Sequence, residues 1–241
     1  MAAGLTALYG TFVPQSGLWC RNISRGSRSG TKVALTFDDG PSPGGTDGVL
    51  DVLKREGIPA AFFVIGQNAA ANPDLLRRIH SEGHLIGNHT YDHDHLSVFR
   101  GYRYWHDQLL RTDEVVQQIT GVRPGLFRPP VGIKFIFTAA AAKRLNHPIV
   151  TWSRRALDGV DTSVDRILAR LAQQTLPGDI LTLHDGIDPH APRKPDMTLE
   201  ALPQLISRLR ARGLQFVRLD ELIGPPGGAA VRRCGASGVH A

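Results

Sequence analysis

The stretch of sequence that decides the fold reads Lys32-Val33-Ala34-Leu35-Thr36-Phe37-Asp38-Asp39-Gly40-Pro41. Its apolar first part, 32–37, predicts a buried β-strand, and Gly40-Pro41 predicts the turn that ends this strand. Two adjacent carboxylates at the end of a buried strand are unfavourable unless each finds a cation or a proton to offset its desolvation. Asp38 and Asp39 therefore mark this strand end as a candidate functional site.

Strand-like and helix-like segments alternate after this strand. Helical periodicity predicts helices at 46–56, 73–82, 98–119, 137–145, 164–174 and 199–212. Apolar runs predict further strands at 61–65, 84–87, 125–127, 148–151, 179–183 and 214–219. The alternation indicates parallel β/α units, and short strands without a glycine-rich phosphate-binding turn favour a barrel over an open dinucleotide-binding sheet. The sequence therefore predicts an α/β fold, a single-domain (β/α)7 barrel.

Polar residues fall at the ends of the predicted strands. His89 and His93 follow the third strand and lie four residues apart, a spacing at which both imidazoles can meet one metal ion. Arg128 ends the fourth strand, Trp152 follows the fifth and His184 follows the sixth. Barrel enzymes build their active sites at this edge. One Asp with two His can hold a metal while the second Asp acts as a base, so the sequence predicts a metal-dependent hydrolase.

The length and the charge of the chain restrict its class. At 241 residues it has the size of one barrel domain, which we place at 31–223, after an N-terminal arm at 1–30. The tail at 224–241 is rich in Gly, Ala and Pro, which predicts disorder. The formal charge of +6 allows an anionic partner, but Lys and Arg are scattered without a dense basic run. We therefore expect no nucleic-acid partner.

The two ends of the chain bear on its compartment. The first ten residues contain no Lys or Arg and too short an apolar run for a signal peptide or a membrane span. We expect a cytoplasmic protein as the chain stands, or a cell-envelope protein if a segment precedes this start. Cys20 and Cys234 are not at metal-ligand spacing. They would form a disulfide in an oxidising compartment, and two free thiols are the favoured alternative.

Five motifs carry a resemblance to a known family. They are Thr36-Phe37-Asp38-Asp39-Gly40-Pro41, His89-Thr90-Tyr91-Asp92-His93, Arg128-Pro129-Pro130, Trp152 with Asp158, and Leu181-Thr182-Leu183-His184-Asp185-Gly186. In this order they make the chain similar to the NodB-like polysaccharide deacetylases, family 4 of the carbohydrate esterases, over residues 31–220. The resemblance implies a distorted (β/α)7 barrel of the NodB type. It also implies that a metal-activated water removes N-acetyl groups from amino sugars of a peptidoglycan- or chitin-like glycan.

The resemblance implies a set of metal ligands. Asp39, His89 and His93 match the family's ligands, while His84 precedes its strand and His95 lies beyond the motif, so neither is expected to bind the ion. One carboxylate with two neutral imidazoles leaves the ion a net positive charge, which polarises a water and an acyl oxygen. Zn²⁺ is the default ion, and Co²⁺, Ni²⁺ and Fe²⁺ suit the same donors.

The resemblance also implies the groups that move protons. Asp38 matches the general base, and Arg128 matches the residue that holds this base in one orientation. His184 matches the general acid that protonates the departing sugar amine. Asp158 is the expected partner of His184, and Asp161 is a second candidate for that role.

Further residues are expected to contact the substrate. Trp152 and Leu183 are expected to line the pocket for the acyl methyl group, and Pro130 is expected to contact the substrate. Val131 follows Pro130 where the family usually has Tyr, and its backbone N–H can still stabilise the oxyanion. Thr90 either braces the histidine loop or hydrogen-bonds the substrate.

Two other functions stay open at the level of sequence. A deformylase or amidase of the same superfamily would act on a small or lipid-linked sugar substrate. A catalytically silent relative would bind a sugar only, although the presence of both Asp38 and His184 argues against this reading. The sequence provides no support for a membrane contact and does not indicate an oligomeric state.

Overall fold

The computed structural model of the protein describes residues 2–159, 162–190 and 196–224. Its α-helices are α1 (Ala2–Phe12), α2 (Thr46–Glu56), α3 (Gly66–Ala71), α4 (Pro73–Ser81), α5 (Tyr102–Thr120), α6 (Ile136–Arg144), α7 (Val164–Leu168), α8 (Asp196–Ala211) and α9 (Leu219–Ile223). One-turn 3₁₀ helices lie at Ser97–Phe99 and Pro130–Gly132, and a π-helical turn at Ala169–Gln173 continues α7. Its strands are β1 (Asn22–Ile23), β2 (Lys32–Asp38), β3 (Ala60–Val64), β4 (Leu85–Asn88), β5 (Ile149–Val150), β6 (Arg154–Arg155), β7 (Ile180–His184) and β8 (Gln215–Phe216).

The strand β2 is the centre of a parallel sheet. It pairs with β3 on one side and with β7 on the other, in the order β4-β3-β2-β7-β6, and its first residues also pair with β8. The register places Asp38 opposite His184 of β7 and Phe63 of β3. Because parallel strands all end at the same edge, the polar residues that end β2 and β7 lie side by side.

Both faces of β2 are buried, and they contact different parts of the molecule. Val33, Leu35 and Phe37 face the main core, which helices including α2 and α8 cover. Successive side chains of a strand point to opposite faces, so Thr36 and Asp38 share the other face. At the base of that second face lies an inner apolar cluster closed by α9, made of Ile23, Ala34, Ala61, Phe63, Leu126, Val150, Ile180, Leu219, Leu222 and Ile223.

The predicted α/β fold with parallel strands is confirmed, whereas the barrel is not. Among the described residues, the strands form an open parallel sheet, β4-β3-β2-β7-β6 with β8 beside β2, and a separate pair, β1-β5. Within these residues, no continuous ladder of hydrogen bonds joins them into a closed ring. The segment predicted as the fourth strand contributes only Phe127, through single bridges to Asn88 of β4 and Ile149 of β5. Pro124 and Pro129 flank this segment. Because proline has no backbone N–H to donate to a neighbouring strand, the two prolines restrict the strand pairing of this segment to Phe127.

Several boundaries differ from the predicted ones. The residues predicted as an N-terminal arm contain α1 and also β1, which joins the fold by pairing with β5. The last predicted strand is shorter, since β8 ends at Phe216 and α9 begins at Leu219, and β6 is a separate strand that follows β5 after three residues. Cys234, Asp161 and the predicted tail from 225 onward lie outside the described residues. Within the described ranges, no helix combines the length and the apolar character that a bilayer crossing requires.

We expect the main core to depend on the stacked rings of Phe37 and Phe62. These rings are fully buried with centroids 5.2 Å apart. Phe62→Ala should lower the free energy of unfolding by about 3–5 kcal/mol, because it removes apolar contacts and leaves a cavity. Urea unfolding measures the change, with Phe99→Ala as the matched control because Phe99 is 83% exposed. Equal losses in the two variants would contradict this account of the core.

Candidate active site

A cavity of about 240 Å³ opens at the carboxyl ends of the strands. Most of its lining residues have polar or charged side chains, and they come from distant parts of the sequence. The lining residues are Asp38, Asp39, His89, His93, His95, Val131, Trp152, Arg155, Leu157, Asp158, Gly159, Thr182, His184, Gly186, Asp188 and Thr198.

The turn after β2 positions Asp39 at the floor of this cavity. Asp39 adopts a left-handed backbone conformation with φ 74°, which Asp tolerates better than most residues. The turn packs tightly against the loop after β7, because a Cβ at Gly186 would lie 2.0 Å from the Asp39 carbonyl carbon and one at Gly40 would lie 2.1 Å from Asp185 Oδ2. Asp185, which is fully buried, therefore supports the turn rather than lining the cavity.

Asp39, His89 and His93 form a group that could hold a metal ion. Asp39 Oδ1 lies 3.4 Å from His89 Nε2 and 3.3 Å from His93 Nε2. All three side chains are buried, and neither contact is an aligned hydrogen bond, so Asp39 Oδ1 is left without a partner among the described residues. Such a buried oxygen, faced by two imidazole nitrogens, fits a divalent cation with one carboxylate and two histidine ligands.

Opposing effects act on the Asp39 carboxyl. Burial raises its pKa, but the nearby imidazoles of His93, His89 and His184 together hold the pKa below its usual range. Asp39 is therefore an anion in the folded protein, as a metal ligand must be.

The loop after β4 fixes the two histidines. His89 Nδ1 lies 2.6 Å from the Arg128 carbonyl oxygen, so its Nδ1–H donates there and its Nε2 lone pair faces Asp39. Thr90, with φ 68°, donates its N–H to Asn88 Oδ1 and accepts the His93 N–H at Oγ1. The sequence left two roles open for Thr90. Its hydroxyl braces this loop, and Thr90 is not among the cavity-lining residues.

Asp38 is held by a fully buried arginine. Arg128 Nη1 donates to Asp38 Oδ1 at 2.6 Å and to Thr36 Oγ1 at 2.8 Å. Two backbone carbonyl oxygens, of Val150 and Thr151, accept from the other guanidinium nitrogens at 3.3 Å. Because the guanidinium is planar and anchored on several sides, it fixes the orientation of the Asp38 carboxylate.

His184, the register partner of Asp38 on the neighbouring strand β7, also lines the cavity. Its Nδ1 lies 2.7 Å from Asp158 Oδ1, and its backbone N–H donates to Asp158 Oδ2 at 2.8 Å. Thr198 Oγ1 also donates to Asp158 Oδ2. Burial lowers the pKa of His184, but Asp158 first, and then Asp39 and Asp38, raise it to about 10. Of the two partners considered from the sequence, Asp158 makes the contact, and Asp161 lies outside the described residues.

The predicted substrate-binding residues are only partly at the cavity. Val131 and Trp152 line it, and Val131 is 45% exposed with a left-handed φ of 48°, an unfavourable conformation for a β-branched residue. Leu183 is instead buried in the main core, because alternation along β7 directs it away from the face that carries His184. Pro130 is buried beside the cavity and does not line it.

The sequence reasoning missed Asp188 and set His95 aside. Asp188 Oδ1 lies 3.2 Å from His93 Nδ1, and Asp188 Oδ2 lies 2.6 Å from His95 Nε2. Burial raises the pKa of Asp188, but the contact with His93 acts in the opposite direction, and the pKa is lowered to about 2. The only signal in the sequence was the position of Asp188, two residues after the Gly186 that ends the fifth motif.

Comparisons with known proteins agree on one family. A family model described as polysaccharide deacetylase matches residues 25–150. The chain is 35% identical over 191 residues to a peptidoglycan-N-acetylglucosamine deacetylase of Bacillus cereus, covering 79% of this chain and 68% of that protein. It is 38% identical over 219 residues to a chitooligosaccharide deacetylase of Bradyrhizobium sp., covering 88% of this chain and 98% of that protein.

A solved structure shows the same fold. The crystal structure of the Bc1960 peptidoglycan N-acetylglucosamine deacetylase with 4-naphthalen-1-yl-N-oxidanyl-benzamide superposes with a TM-score of 0.77 at 32% identity, over 84% of this chain and 92% of that one. This chain spans 40% of the length of the peptidoglycan-N-acetylglucosamine deacetylase PgdA of Listeria monocytogenes and 98% of the length of the Bradyrhizobium relative.

We predict that Asp158 sets the protonation of His184. Asp158→Asn removes the negative charge that favours the imidazolium, so the pKa of His184 should fall by about one pH unit or more. NMR titration of the His184 imidazole in the metal-free protein measures this change. Asp74→Asn is the control, because Asp74 is an exposed carboxylate that pairs with Arg77. An unchanged pKa in the Asp158 variant would show that Asp158 is not the controlling partner.

Proposed function

This chain belongs to the polysaccharide deacetylase family, and we propose that its cavity hydrolyses the N-acetyl amide of amino sugars in a polysaccharide or oligosaccharide. The relatives named above are a peptidoglycan-N-acetylglucosamine deacetylase and a chitooligosaccharide deacetylase, both of which act on N-acetylated amino sugars. The reaction adds water across the amide bond and releases acetate and the free sugar amine.

One observation carries this proposal. Asp39 Oδ1 is buried, it has no aligned hydrogen-bond partner within residues 2–159, 162–190 and 196–224, and two imidazole nitrogens face it within one cavity. The same cavity also holds a carboxylate that an arginine orients, Asp38, and an imidazole that a carboxylate orients, His184. A base and an acid that flank a cation site are the groups that amide hydrolysis needs.

We propose that a divalent ion is held by Asp39, His89 and His93. When bound, this ion supplies a Lewis acid that polarises a water and the acyl oxygen. Zn²⁺ is the default ion for one carboxylate and two imidazoles, and Co²⁺, Ni²⁺ and Fe²⁺ fit the same donors. The tautomer of His89, which its contact with the Arg128 carbonyl fixes, leaves Nε2 free to be a ligand.

Asp38 is the proposed base. Its Oδ1 is engaged by Arg128 Nη1, which leaves Oδ2 to accept the proton of the attacking water. Arg128 is fully buried and hydrogen-bonded through several nitrogens, so the carboxylate cannot rotate away from the cavity without breaking these bonds. This fixed orientation places the base without an entropic cost at the moment of reaction.

His184 is the proposed acid. Asp158 accepts from Nδ1, so the proton at Nε2 is the one directed into the cavity, where Nε2 lies 4.0 Å from Asp39 Oδ2. The raised pKa keeps the imidazole protonated at neutral pH, ready to protonate the sugar nitrogen as the C–N bond breaks. Trp152 and the backbone N–H of Val131 are proposed to contact the acetyl group, because both residues line the cavity.

We predict that the protein releases acetate from N-acetylated glycans and that chelation of divalent metal abolishes the release. Peptidoglycan and N-acetylglucosamine oligomers are assayed with Zn²⁺, Co²⁺, Ni²⁺ or Fe²⁺ restored one at a time. The reaction should recover with at least one ion, because the ligand set requires a cation to offset the buried Asp39 charge. Absence of acetate release with every restored ion, or full activity after chelation, would contradict the proposal.

The two adjacent carboxylates should respond differently to the same change. Asp38→Asn keeps the shape but cannot accept a proton at neutral pH, so it should retain the metal and lose about a hundredfold or more in kcat. Asp39→Asn should lose metal affinity first, and excess Zn²⁺ should recover part of the rate. Metal stoichiometry by elemental analysis and kcat are measured on both variants. If Asp38→Asn loses the ion while Asp39→Asn keeps it, the two roles are exchanged.

A further inference from the structure

The loop after β7 provides a second carboxylate to the histidine group, outside the proposed ligands. Asp188 Oδ1 lies 3.2 Å from His93 Nδ1, the ring nitrogen that faces away from Asp39. Asp188 is largely buried, and its own orientation is fixed by two further contacts. His95 Nε2 lies 2.6 Å from Oδ2, and the His190 backbone N–H donates to Oδ1 at 2.8 Å. Asp188 therefore links the loop after β7 to the loop after β4.

The two proposed histidine ligands need the same kind of support. A histidine that binds a metal through Nε2 must carry its proton on Nδ1, and a hydrogen-bond acceptor at Nδ1 fixes that tautomer and the orientation of the ring. For His89 the acceptor is the carbonyl oxygen of Arg128 at 2.6 Å. For His93, the described residues place the Asp188 carboxylate 3.2 Å from Nδ1, an ion-pair contact that is not an aligned hydrogen bond and that is the contact available to this buried nitrogen.

We propose that Asp188 is a positioning residue that holds His93 with Nε2 directed at Asp39 and so strengthens metal binding at the Asp39, His89 and His93 group. This inference rests on the proposed function, because it requires a metal at that group. A carboxylate acceptor raises the basicity of the imidazole more than a carbonyl does, so Asp188 tightens the bond as well as orienting the ring. His95 Nε2 contacts Asp188 Oδ2, and in the described part of the chain His95 is not grouped with Asp39 and His89 as a possible ligand of one ion.

The alternative for the same residues is a second metal site. His93, His95 and Asp188 also present ligand atoms within reach of one another. A second ion there would need His93 to bind metal through both ring nitrogens and to give up both protons. The contact of 2.6 Å between His95 Nε2 and Asp188 Oδ2 is already that of a hydrogen bond. The geometry therefore favours one ion with an outer carboxylate over two ions.

Metal titration of three variants tests the role of Asp188 without an activity assay. The metal-free protein is titrated with Zn²⁺ against a chromophoric chelator of known affinity. Asp188→Ala should weaken Zn²⁺ binding by about 10–100-fold, the usual effect of removing an outer partner of a metal-bound histidine. Asp188→Asn keeps an oxygen acceptor without the charge, so its loss should be smaller than that of Asp188→Ala. Asp74→Asn, at an exposed carboxylate, should bind as the unchanged protein does.

A spectroscopic measurement separates positioning from a general loss of structure. In the Zn²⁺-loaded protein, ¹⁵N NMR of the imidazoles should show His93 protonated at Nδ1. A His93 proton at Nε2 would overturn the proposal, and so would unchanged Zn²⁺ affinity in Asp188→Ala. If Asp188→Ala does not fold, as judged by circular dichroism of the metal-free protein, Asp188→Asn and the tautomer of His93 decide the question.

The stoichiometry distinguishes the remaining outcomes. One Zn²⁺ per chain in the unchanged protein, held more weakly in both Asp188 variants, supports the positioning role. Two Zn²⁺ per chain, reduced to one by Asp188→Ala, would show that Asp188 is itself a ligand and would overturn the proposal. If the unchanged protein binds no Zn²⁺, Co²⁺, Ni²⁺ or Fe²⁺ at all, the proposed function fails, and the positioning role fails with it.

Discussion

The desolvation of two neighbouring carboxylates is the constraint on which the site depends. Asp38 and Asp39 are both buried at the end of the central strand, where an unpaired charge would destabilise the fold by several kcal/mol. The protein offsets the two charges in different ways. Arg128 forms an ion pair with Asp38 at 2.6 Å, whereas the charged partners of Asp39 in the described part of the chain are imidazoles, and its Oδ1 has no hydrogen-bond partner there. This difference in partners makes one carboxylate suitable as a base and the other as a ligand.

Arg128 contributes both to the partner set of Asp38 and to the histidine group that faces Asp39. Its guanidinium holds Asp38, and its backbone carbonyl accepts from His89, so one residue orients both the proposed base and one proposed ligand. The short segment around Phe127 fixes Arg128 in turn, since it bridges β4 and β5. A displacement of this segment would therefore disturb both the proposed base and the proposed cation site, although the segment pairs with its neighbours through single bridges.

The sequence predicted the parts of the fold that follow from local patterns. Periodicity located the central strands and most helices to within a few residues, because both faces of these strands are apolar and the helices have one buried face. It did not locate β1 or β6, which are two residues long, and it did not establish how the strands pair around the inner cluster. Leu183 was assigned to the pocket because of its place in a motif, but alternation along β7 directs it into the core.

What the sequence by itself determined is which chemical groups are available: an aspartate pair at a buried strand end, two histidines four apart, an arginine and a further histidine at other strand ends. Only the tertiary structure decided which groups touch. Asp38 meets Arg128 across 90 positions of sequence, and His95 meets Asp188 across 93. Such contacts are set by the register and the packing of strands that are distant in the chain, and no local pattern in the sequence encodes that register.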